Sequence, residues 1–144
     1  MKLLSLLFLS IFLAKGCDEQ TNKEMKDTAV EYSANSRGYY RKIIVQNQMV
    51  SVATDRNGAE KAEKVKISDA DWKLLVDEFS KVNLDQLDKL KAPTEKRFYD
   101  GAAIAHLTVT SKGKTYQSTD FDHGFPPKEI EALVKRIVAF DSSK

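Results

Sequence analysis

The sequence predicts an α+β fold, a small antiparallel sheet built from two hairpins with two helices packed on one face. Three features carry that expectation. Two pairs of short β-forming segments are each joined by a tight turn signal, Gln46-Asn47-Gln48 and Ser111-Lys112-Gly113-Lys114. Each pair is followed by a stretch whose apolar residues recur at helical spacing. The chain has 144 residues, 42% of them apolar, which suits one domain with a real core and is too short for two.

Composition removes several classes. Six Gly and three Pro are too few for a fibrous or low-complexity chain, one Cys rules out a disulfide scaffold, and two His rule out a histidine-built metal cage. The 23 basic and 21 acidic side chains give no basic excess of the kind that binds nucleic acid.

The chain opens MKLLSLLFLSIFLAKGC. Lys2 is its positive end, and Leu3 to Ala14 is an apolar run broken only by Ser5 and Ser10, too short to cross roughly 30 Å of hydrocarbon and fitting a signal-peptide core. The following Leu13-Ala14-Lys15-Gly16-Cys17 resembles a bacterial lipobox, with the small Gly16 before the Cys and Lys15 departing from the strict pattern. The resemblance implies a lipoprotein: residues 1–16 are a signal peptide, and Cys17 carries diacylglycerol and a further acyl chain of the palmitate type. Two or three acyl chains make attachment effectively stable. Removing Lys2 and Lys15 with the signal leaves 21 charges of each sign, a neutral protein. Asp18 directly after the Cys resembles an inner-membrane retention signal of many bacteria, whereas Asp18 with Glu19 resembles the export signal of Bacteroidota surface lipoproteins; the relaxed lipobox favours the second, and so the outer membrane over the inner.

Residues 17–35, rich in Lys, Glu, Asp and Thr with few large apolar side chains, read as the lipidated Cys and a flexible tether, with a short transient helix over Lys23 to Tyr32 as the competing reading. The single domain is then expected over 36–144. Tyr39 to Val45 and Met49 to Thr54 form its first hairpin, and Lys61 to Ile67 is a third, mostly polar strand. Ser68 followed by Asp71 resembles a capping box, and Trp72, Leu75, Val76, Phe79 and Val82 make one face of the helix it opens. Leu84, Leu87 and Leu90 continue as a short turn ended by Pro93. Ala103 to Thr110 and Thr115 to Thr119 form the second hairpin, and Asp120 to Gly124 a loop. Pro126-Pro127 opens the last helix, with Pro127 in its first turn and Ile130, Leu133, Val134, Ile137 and Val138 as its apolar stripe.

Chemistry-bearing residues gather in three places. Asp120, Asp122 and His123 offer oxygen and imidazole donors for a divalent ion, with His106, Asp100 or Asp141 to complete a set. Polar turns carry such residues without any ligand, so no metal or other cofactor is expected and no catalytic residue is assigned. His106 itself reads as an ordinary strand residue. Arg97-Phe98-Tyr99 combines side chains that dominate binding hot spots, although an aromatic core cap followed by an Asp100-Gly101 turn is the more ordinary reading. Ser36-Arg37-Gly38-Tyr39-Tyr40 has the same ambiguity. No phosphate loop, HExxH, GxSxG or paired-Cys motif occurs, so an enzyme is not expected.

Three segments together give a further likeness. The Gly-aromatic-basic start (Ser36 to Lys42), the capped helix entered from a strand (Ser68 to Val82), and the hairpin followed by a Pro-initiated helix (Pro126 to Phe140) resemble emfourin-type proteins. These are small bacterial inhibitors of thermolysin-like metalloproteases. The likeness is of pattern over about three quarters of the chain, and no inhibitory residue transfers. With the lipobox-like signal, the leading expectation is a non-catalytic, lipid-anchored envelope protein that binds another protein, and the likeness makes a protease the foremost partner. The alternatives are a small ligand- or metal-binding domain or enzyme using the Asp120–His123 loop, and a structural envelope lipoprotein. A binding module is expected to tolerate Asp122→Ala and His123→Ala and to fail on loss of Tyr99.

Overall fold

The computed structural model describes residues 22–142. The signal segment and Cys17 lie outside the described residues. Residues 22–26 form a helical turn, α1, and β1 (Ala29–Asn35) follows at once. β2 (Tyr40–Gln46) and β3 (Met49–Ala53) form a hairpin, and β4 (Lys64–Lys66) adds an edge. α2 (Asp69–Ser80) leads through a 3-10 turn at Leu84–Lys89 and another at Lys96–Tyr99 to β5 (Ile104–Ser111), β6 (Lys114–Gln117) and β7 (Phe121–Asp122). A 3-10 turn at Lys128–Ile130 opens α3 (Glu131–Val138). The strands form one antiparallel sheet in the order β4-β3-β2-β1-β5-β6, and β7 pairs with β5 beyond the end of β6.

The predicted fold class is the observed one. The first hairpin turns through Asn47 and Gln48, both at positive φ, as a two-residue primed turn demands, and Lys112-Gly113 does the same in the second. Ser68 Oγ accepts the Asp71 N–H at 3.2 Å and caps α2, which buries Trp72, Leu75 and Val76. α2 packs on α3, which buries Leu133, Val134 and Ile137. Together they cover Val30, Tyr32, Ile43, Val45, Leu107 and Val109 on one side of the sheet. The opposite face carries Glu31, Ser33, Lys42, Ser51, His106 and Thr108, partly open to solvent.

Four expectations are corrected. The tether reading of residues 17–35 fails from residue 22 onward. Val30, Tyr32 and Ala34 alternate inward and are buried, so β1 is the centre of the sheet and the folded body does not begin at Ser36. Met25 of α1 is also fully buried, and Asn22 Oδ1 accepts the Trp72 indole N–H at 2.8 Å. The strand expected over 61–67 shrinks to β4, because Asp55 accepts the Asn57 N–H and caps a 3-10 turn over Arg56–Lys61. The expected loop at 120–124 holds β7, whose two residues are buried. Pro127 precedes the 3-10 turn that opens α3 and does not sit inside a first α-helical turn.

Candidate functional site

The register of β1 gives the molecule two ends. Ala29 pairs with Thr110 near the Lys112-Gly113 turn, and Asn35 pairs with Ile104 and Tyr40 at the other end. All three residue groups singled out in the sequence meet at this second end. β7 is the junction: it pairs Phe121 with Ala105 and Asp122 with Ile104. Strand alternation then sends Phe121 and His123 toward the helices and Asp122 to the opposite face.

Asp122 is fully buried. Its Oδ2 accepts the Thr94 hydroxyl at 2.5 Å and the Lys96 N–H at 2.7 Å. Its Oδ1 accepts the Arg97 N–H at 3.0 Å and Arg97 Nη1 at 3.1 Å. Burial pushes this carboxyl up, but the Thr94 hydroxyl, the two amides and the guanidinium outweigh it and hold the acid at about 2. The carboxylate is thus an anion at neutral pH that gathers donors from Thr94 to Arg97 and fixes that loop.

The fixed loop presents two aromatics. Arg97 Nη1 also donates to the Thr94 carbonyl at 2.9 Å, and its guanidinium lies 4.4 Å from the Phe98 ring centre. Tyr99 lies over Gly101, where an added Cβ would come within 2.7 Å of the ring. Asp100, at φ 60°, turns the chain back, and the Gly101 N–H donates to the Lys96 carbonyl at 2.8 Å. Phe98 and Tyr99 are each 72% exposed, so the core-cap reading of these residues is overturned, while the Asp100 turn into the strand is present. Ile104 and Phe125, both more than 40% exposed, belong to the same corner, and Lys96 Nζ sits 4.0 Å above the Phe125 ring.

His123 takes the other side. Its Nδ1 meets the Tyr32 hydroxyl at 2.7 Å, and its Nε2 meets the Tyr39 hydroxyl at 3.1 Å. The Tyr39 ring carries the Arg41 guanidinium at 4.8 Å, and Arg41 Nε donates to Asp141 Oδ2 at 2.8 Å. Burial and then Arg41 lower the imidazole pKa, against Asp141, which raises it. Burial, reinforced by Tyr39, pushes the Tyr32 phenol well above its ordinary range, and burial also raises Tyr39. The imidazole and both phenols are therefore neutral near pH 7, and one proton on His123 lets each ring nitrogen serve one phenol.

The metal candidates do not converge. Asp122 is taken up by the Thr94–Arg97 loop and His123 by two tyrosines, while Asp120 lies 3.7 Å from His106 on the open face. Asp141 pairs with Arg41, and exposed Asp100 forms the turn after Tyr99. Among the described residues no three His, Cys, Asp or Glu side chains lie close enough to hold a metal ion. Ser36 to Tyr40 stands beside this end: the Ser36 N–H donates to the Tyr39 carbonyl, and Arg56 donates to Asn35 Oδ1 and the Ser36 carbonyl. The sequence missed the Tyr32–His123–Tyr39 contact, because Tyr32 fell within the expected tether. Its period-two burial with Val30 and Ala34 was the available signal.

No protein-family description matches the chain, and no curated protein or solved structure is significantly similar to it.

Proposed function

We propose that the chain is a lipid-anchored envelope protein, attached through Cys17, that binds another protein without catalysis. Its contact is the strand-end corner built on Arg97, Phe98 and Tyr99. One observation carries this reading: a buried carboxylate fixes the loop, and Phe98 and Tyr99 beyond it are each 72% exposed. Aromatics held in place lose little entropy on binding, which is how a few residues come to dominate an interface. The His123 network supports a structural role, since its imidazole joins two protonated phenols and offers no activated nucleophile. The likeness to emfourin-type inhibitors makes a thermolysin-like metalloprotease the first partner to try, and the outer membrane is the proposed location.

The test uses the acylated chain and a Phe98→Ser/Tyr99→Ser variant against a thermolysin-type protease and against envelope and secreted fractions. The expected result is one stoichiometric partner for the parent chain. Its affinity should fall by about 30-fold or more in the variant, the loss expected of one hot-spot side chain at about 2 kcal/mol. Equal melting temperatures would assign that loss to the surface. Undiminished binding by the variant would remove the corner from the interface, and protease activity unaffected by either protein would end the inhibitor reading.

A further inference from the structure

We propose that the end of the molecule opposite the aromatic corner rests on the bilayer. The corner is thereby aimed away from the membrane, at a partner standing about 20 Å or more from the lipid surface. The inference rests on lipidation at Cys17 and deepens the binding proposal by fixing its direction.

The geometry is short. Cys17 precedes Asn22 by five residues, and Asn22 is already part of the folded body, bonded through its side chain to Trp72. Five residues reach at most about 18 Å when fully extended. Trp72 stands in the first turn of α2, whose Asp69 is bonded to Gln48 in the first hairpin turn. Thr28 Oγ1 donates to Ser111 Oγ at 3.0 Å, and Lys112 Nζ lies 3.7 Å from Glu24 beside the second hairpin turn. The leash, α1 and both turns therefore share one end of the sheet.

The aromatic corner stands at the other end. β1 runs six residue steps from Ala29 to Asn35, which pairs with Ile104. At about 3.3 Å per step that is roughly 20 Å, and the loop carrying Phe98 and Tyr99 lies at this far end. Turning the body over would set about the length of β1, roughly 20 Å, between the end that holds Asn22 and the lipid, which uses up the full extension of the leash, whereas the upright arrangement needs none of it. The near end also presents exposed Lys23, Lys26, Lys112 and Lys114, against exposed Glu24 and Asp27, a balance compatible with phospholipid headgroups.

The experiment places a dye on Lys112→Cys or on Tyr99→Cys in the acylated chain, where Cys17 has no free thiol. The protein is reconstituted in phosphatidylethanolamine and phosphatidylglycerol vesicles bearing a headgroup-linked acceptor. Energy transfer is expected to be several-fold stronger from position 112 than from position 99. Equal or reversed transfer in a vesicle-bound chain overturns the orientation and leaves the anchor standing. A chain that stays in the supernatant with a second reactive thiol at Cys17 overturns both.

Discussion

Arg97 and Asp122 lie 25 positions apart and form a buried ion pair, Nη1 to Oδ1 3.1 Å. The pair joins the connector after α2 to β7 and lies directly beneath the exposed aromatics. Asp122→Ala would leave two backbone N–H groups and a mostly buried guanidinium without their acceptor. The expected loss is about 3–5 kcal/mol of stability, measured by urea unfolding. Asp122→Ala therefore cannot separate a binding module from a metal site, contrary to the expectation from sequence, because it damages the fold under either reading. The same pair predicts acid sensitivity. The folded carboxyl titrates at about 2 against an ordinary 3.8, so its contribution is complete above the ordinary value and disappears as pH falls toward 2.

His123 has the opposite chemistry and acts at milder pH. Its folded pKa lies below the ordinary 6.5, so the unfolded chain binds the proton more readily. Stability should be full above about pH 7 and decline as pH falls through 6.5 and below. The groups facing the imidazole are Tyr32, Tyr39, Arg41 and Asp141; burial and Arg41 disfavour the cation, and Asp141 only partly offsets them. His123→Gln, which keeps a donor and an acceptor, should flatten the melting temperature between pH 7 and 5. A slope equal to the parent's would place the titrating group elsewhere.

Gly124 closes the turn that follows His123. The Phe125 N–H donates to the Asp122 carbonyl at 2.9 Å, closing a turn in which Gly124 takes φ +91°. An added Cβ meets nothing within 4 Å, so Gly124→Ala is a test of backbone strain alone. A cost of about 1 kcal/mol or more is expected in thermal unfolding.

The parts of the fold governed by local chemistry were legible. Asn47 and Gly113 marked their turns, Ser68 marked the start of α2, and the Trp72 to Phe79 spacing marked its buried face. β7 was not legible, because two residues are too few to show a period, and its pairing depends on a bulge. There the Leu107 N–H finds Ser118 Oγ at 2.9 Å instead of a strand carbonyl. The exposure of Phe98 and Tyr99 was hidden for another reason. It is decided by what Asp122 binds across the fold, and no window around Arg97 contains that information. β1 is legible in the alternation of AVEYSAN, but the polar neighbourhood around it masks that signal.

The central position of β1 yields the most severe test. β1 pairs with β2 along one edge and β5 along the other, so a chain starting at Ser36 would divide the sheet into two parts with no ladder between them. It would also lose the buried Val30, Tyr32 and Ala34, together with Met25 of α1. Burying a large apolar side chain contributes about 1.5–3 kcal/mol, so Met25, Val30 and Tyr32 together approach the roughly 5–15 kcal/mol that holds a domain together. A chain of residues 36–144 should therefore show no cooperative thermal transition, whereas one of residues 22–144 should melt as a single unit. Circular dichroism on the two decides it. A cooperative transition in the shorter chain would show that the sheet closes without its central strand.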